Sequence, residues 1–172
     1  MRAASGEAPL DDAAGLRRAV ALAGDRVSLS QLLRVIERVR DHEPSEKGAR
    51  RAEWTSVRGA AHVALAARGS RIAIYDLRES IEGASTPLPV EFLAALGAIG
   101  DLSCLEGLAA AYARSMKAGS AERDWWRQHL ASTFRTIAKR ARVTARHATI
   151  KKIQKRWPDA LTELLTFKPT VR

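Results

Sequence analysis

The chain has 172 residues, 46% of them hydrophobic and 28% charged, and a formal net charge of +10 at pH 7. That length suits one compact domain, no run of about 18 apolar residues offers a membrane span, and the single cysteine excludes an internal disulfide. The excess charge is local: residues 1–113 hold 14 Lys or Arg against 15 Asp or Glu, whereas residues 114–157 hold 13 against 2.

In chain order the apolar spacing predicts helices in pairs. Met1 to Gly15 lack a basic start followed by an apolar core, so they do not read as a signal peptide. The first pair spans about 10–23 and 28–41, with Gly24 expected as the left-handed residue ending the first helix and Ser28 or Ser30 capping the second. A polar stretch from His42 to Arg50, with Pro44 and Gly48, reads as a loop. The second pair covers about 52–67 and 71–82 around Gly69 and Ser70. Pro87 and Pro89 then interrupt the helical pattern. The third pair, about 89–98 and 102–115, is joined by Gly100 and Asp101, and Lys117 to Ser120 form a loop. The fourth covers about 121–142 and 146–156, after which Pro158 kinks or restarts a last turn carrying Leu161, Leu164 and Leu165. β-Branched alternation is nearly absent, so no strand is expected; even Arg71 to Tyr75 falls in helical register.

The pairs share one register. Anchored on Gly24, Gly69 and Gly100, apolar residues recur eight and four positions before (Leu16, Val20; Ala61, Leu65; Phe92, Leu96) and five, eight and twelve after (Leu29, Leu32, Ile36; Ile74, Leu77, Ile81; Leu105, Leu108, Tyr112). A fourth copy has Ala145 in the glycine slot, with Ile137, Ala141, Ile150, Ile153 and Trp157 around it. These offsets place apolar groups on one face of each helix of a hairpin, and a hairpin repeated at such intervals buries its face by stacking on its neighbours.

The third unit, Val90 to Asp101 followed by Leu105 to Tyr112, resembles a bacterial HEAT repeat of the type found in phycobilisome-lyase-like proteins. The resemblance rests on Ala95, Leu96, Ile99, the Gly100–Asp101 turn, Leu105 and Leu108. It implies an all-α fold, a right-handed α-solenoid of about four HEAT-like hairpins (10–41, 52–82, 89–115 and 121–165) with the second helices on the concave side. It also implies a binding or scaffolding role. An array that starts this abruptly is expected to be part of a longer one. No catalytic residue is carried over, because the repeat pattern contains none.

On that expectation an outward row runs through Gln31 and Arg34, Asp76 and Glu79, Gly107 and Ala110, then Lys152 and Lys155. Lys151 and Arg156 add charge beside the last pair. Arg135, Lys139 and Arg142 follow i, i+4, i+7 spacing, a cationic stripe on the preceding helix. Two readings stand for this basic end: a solvated cap of the array, or a surface for an acidic partner. Trp126 continues into Leu130, Phe134 and Ile137 and is expected in the core, as are Trp54 and Trp157. Trp125 is expected either to be more exposed, where it could stack on a base or anchor an interface, or to pack between units.

Chemistry is sparse. His42, His62, His129 and His147 form no metal-ligand spacing, and no HExxH, CxxC, GxSxG, Walker loop or GxGxxG occurs. His62 and His129 read as structural groups, and Cys104 as a buried thiol beside Leu102, Leu105 and Leu108. Asp124, Trp125 and Arg127 permit a comparison with DNA glycosylases built of HEAT-like repeats, but no further motif supports catalysis. The expectation is therefore a cytoplasmic, non-catalytic scaffold without metal or cofactor, and without a membrane. Its partner would be a protein with an acidic region, bound through the concave row; the alternative is nucleic acid held by the basic fourth unit.

Overall fold

The computed structural model describes residues 10–117 and 121–166. Among them it is all-helical: α1 Ala13–Ala23, α2 Leu29–His42, α3 Gly48–Ala67, α4 Ile74–Gly83, α5 Val90–Ile99, α6 Leu105–Met116, α7 Ala121–Arg140, α8 Ala148–Arg156 and α9 Pro158–Thr166, with short 3-10 turns at Glu43–Ser45 and Leu102–Cys104. Residues 1–9 and most of the loop expected at Lys117 to Ser120 lie outside the described residues. No described helix is long and apolar enough to cross a membrane.

The register explains the packing. Of the twenty apolar repeat positions, sixteen are buried, Leu29, Ile74 and Trp157 are half-buried, and Ala141 is exposed. Ala141 departs because α7 ends at Arg140. The Val143 amide bonds to the Ala138 carbonyl and the Arg142 amide to that of Lys139, a Schellman closure with Arg142 as its left-handed residue (φ 52°). Arg142 therefore leaves the helical stripe expected with Arg135 and Lys139.

Gly24 also differs from expectation. Its φ of −62° is right-handed; the glycine is needed because a Cβ there would lie 2.7 Å from the Cβ of Ala64. Gly69, at φ +65°, does supply the left-handed turn after α3. Ser28 and Gln31 form a capping box at α2, and Asp101 accepts the Ser103 amide ahead of α6.

Backbone contacts divide the chain into two compact units, with the boundary inside α4. The first holds residues up to Leu77 and Pro89–Ile99. Here α3 packs against α1, α2 and α5, burying Leu16, Val20, Leu32, Ile36, Trp54, Val57 and Leu65. The second holds Arg78–Leu88 and the chain from Gly100 onward. Within it α6 packs on α7, α8 and α9, with Leu108, Tyr112, Trp126, Phe134, Ile153 and Leu164 buried. Arg114 of α6 donates to the carbonyls of Ile81, Glu82 and Ala84, satisfying the C-terminal end of α4. Pro158 opens α9, where Leu161 and Leu164 are buried and Leu165 is exposed.

Candidate functional site

In the second unit, α8 turns Ile150 and Ile153 into the core and leaves Lys151, Lys152, Lys155 and Arg156 exposed. At about 100° per residue those four cations sweep roughly 140° of the solvent side. Lys152 Nζ lies 2.9 Å from Glu106 Oε2 on α6, and Arg156 Nη1 lies 4.0 Å from the same oxygen. The Arg156 guanidinium also sits over the half-buried Trp157 ring at 4.6 Å. Upstream, the turn between α7 and α8 exposes Arg142 and Arg146. The His147 imidazole accepts the Thr149 amide as the cap of α8.

The stripe expected on α7 separates into different roles. Lys139 is exposed near the helix end, whereas Arg135 is half-buried and donates to the Leu164 carbonyl at 3.4 Å. Arg140, which the stripe did not include, donates to the Gly100 carbonyl. Glu106 was also missed. Nothing in the repeat register distinguishes it, and only the packing of α6 on α8 brings it to the cations.

Trp125 is 39% exposed and stacks on Trp126 with ring centroids 6.3 Å apart; His129 lies 4.7 Å from its ring. Trp126 is buried. A shallow cleft beside it, lined by Ser85, Pro87, Arg114 and Arg123 among others, has room for about one water. It is no substrate pocket.

The outward row requires correction at two of its positions. Arg34, Glu79, Lys152 and Lys155 are exposed, but Asp76 and Ala110 are buried. Asp76 turns inward because α3 and α2 bring it cations and a hydrogen-bond donor. Its Oδ2 accepts from His62 Nε2 at 2.7 Å. Its Oδ1 stands 3.5 Å from both Arg58 and Arg40. Arg58 Nε is in turn 3.2 Å from Glu43 Oε1, although the angle does not make that contact a hydrogen bond. Arg58 also lies over the Phe92 ring at 5.3 Å. Glu43, in the polar stretch expected as a loop, is thus buried in the first unit. The signal available beforehand was the pair Arg58 and His62, four apart along the apolar stripe of α3.

Burial raises the Glu43 pKa, against the pull of Arg58. Burial lowers that of His62, and the Arg58 charge adds to the fall, against the hydrogen bond and charge of Asp76. His62 is therefore neutral at pH 7, with its proton on Nε2. With His62 and Asp76 each only 1% exposed, this cluster has no access for a substrate and acts as a structural network. Cys104 is buried and its thiol is raised by desolvation, a poor nucleophile. Among the described residues no three His, Cys, Asp or Glu side chains are grouped to hold a metal.

Comparison with the models of known protein families, with curated proteins and with solved structures finds no match.

Proposed function

We propose that the protein is a non-catalytic HEAT-like repeat scaffold that binds a partner protein through an acidic region of that partner. The observation that carries this reading is the stretch from Lys139 to Arg156. It holds eight Lys or Arg and no Asp or Glu, and most of its cations are on the surface. A solubilising cap would normally intersperse both signs; a one-signed surface concentrates a field that attracts an opposite one. Among the described residues the carboxylate found against the α8 cations, Glu106, is borne by a helix, which favours a protein partner.

In this proposal the architecture is a right-handed α-solenoid of about four hairpins. Its support is the common register, the packing of α1 on α3 and α3 on α5, and that of α6 on α8. A lone buried thiol fits a reducing, cytoplasmic setting. The second reading, single-stranded nucleic acid, is favoured by one observation, the exposed Trp125 ring on a helix rich in Arg and Lys.

Binding of polyglutamate, a random DNA duplex and an oligothymidine, each at two salt concentrations, separates the readings. Polyglutamate is expected to bind with salt-sensitive affinity, and more tightly than either nucleic acid. If a Trp125→Ala change abolishes oligothymidine binding while polyglutamate fails to bind, the scaffold reading gives way to the nucleic-acid one.

A further inference from the structure

We infer that the solvent side of α8 is a carboxylate-reading face in two stripes, one filled by the chain itself and the other open to an acidic helix of the partner. This rests on the reading of the protein as an acidic-partner scaffold and specifies how that partner is held.

Lys152 and Arg156 are four residues apart on the flank of α8 that faces α6. Both converge on one oxygen of Glu106, at 2.9 and 4.0 Å. Glu106 is thus an internal example of the ligand, a helix-borne carboxylate received between two cations one turn apart. Lys151 and Lys155 repeat that spacing on the other flank. Both are exposed, and among the described residues neither has a carboxylate partner.

Arg142 and Arg146, in the preceding turn, extend the positive field beyond the N-terminal end of α8. No acid between residues 139 and 156 quenches it. The complementary occupant is a helix with Glu or Asp residues in pairs four positions apart, because each pair lies on one side of the helix with the same axial rise as Lys151 and Lys155. Charge complementarity at an exposed rim supplies orientation and on-rate more than raw affinity. Binding is therefore expected to weaken steeply with salt.

The test uses the full chain and two labelled peptides of about 20 residues, long enough to be helical in water. One carries Glu at i, i+4, i+7 and i+11 on one face of an Ala-rich helix; the other has the same composition with the Glu residues spread around the helix. The regular peptide is expected to bind about tenfold more tightly than the scrambled one at low salt. Lys151→Glu with Lys155→Glu should remove at least that margin while leaving the melting temperature unchanged, since both side chains are exposed.

Glu106→Gln should tighten binding a few-fold by opening the second stripe. Equal binding of the two peptides overturns the spacing. Unaltered binding by the double variant overturns the placement on α8, and if polyglutamate still binds, the scaffold reading survives that loss. A fall in melting temperature for Glu106→Gln with no change in binding removes Glu106 as an internal occupant. A duplex of matched charge that displaces the regular peptide at equimolar concentration identifies a phosphate surface and ends the proposal.

Discussion

Replacing Asp76 by asparagine tests the buried network of the first unit, because the change keeps shape and removes charge. The substituted side chain can still accept from His62 through its carbonyl oxygen, but its amide nitrogen then faces Arg58 with a donor. Removing one partner of a buried ion pair costs about 3–5 kcal/mol. Two features place this case at the low end. Glu43 remains 3.2 Å from Arg58, and the Arg40 side chain, 40% exposed, can turn to water. A loss of about 3 kcal/mol is a large part of the roughly 5–15 kcal/mol that holds a domain together. For a chain of this size it corresponds to a melting temperature lower by about 6–12 °C. Circular dichroism at pH 7.5 reads it directly. Glu53→Gln, at an exposed carboxylate on α3, serves as the control and should change stability by less than about 0.5 kcal/mol. An Asp76→Asn loss below about 1 kcal/mol, outside the range of broken buried pairs, would refute the view that Asp76 balances the buried Arg58.

The same network makes stability depend on pH. The folded pKa of His62 lies below its usual 6.5, so the unfolded chain takes up its proton first. Stability is lost as pH falls below about 6.5, by up to about 1.4 kcal/mol per unit. Glu43, whose folded pKa is raised above 4.5, acts in the opposite sense. Denaturant unfolding between pH 7.5 and 5.5 should therefore show a decline that His62→Gln flattens. Arg142→Gly removes a left-handed non-glycine residue and should gain about 0.5–1 kcal/mol in the same assay, the αL relief exceeding the entropy cost of glycine. Gly24→Ala sets a methyl against Ala64 and should cost about 1–3 kcal/mol by overpacking.

Much of the fold was legible because the helix period writes the buried face into the sequence. The positions from Leu16 to Ile153 that recur around the anchors are nearly all inside. Less legible was what each anchor does. Glycine marks a left-handed turn at Gly69 but a close helix approach at Gly24, and in the fourth hairpin Arg142, not Ala145, takes the left-handed conformation. Spacing alone could not separate these, since it records position and not φ. The four cations of α8 were readable for the same reason as the core, being the complement of Ile150 and Ile153. Asp76 was not. Its inward turn depends on Arg58, His62 and Arg40 arriving from other helices, a pairing that no local pattern encodes. Glu106 was hidden likewise, as its role comes from the packing of α6 on α8.

In the proposal, α8 and the turn before it receive an acidic protein segment. Backbone amide chemical shifts, followed while polyglutamate is added to the full chain at low salt, locate the contact directly. Perturbations are expected to concentrate at Arg142 to Arg156 and at Glu106 and to reverse on adding salt. Shifts confined to the first unit, or none at all, would contradict it.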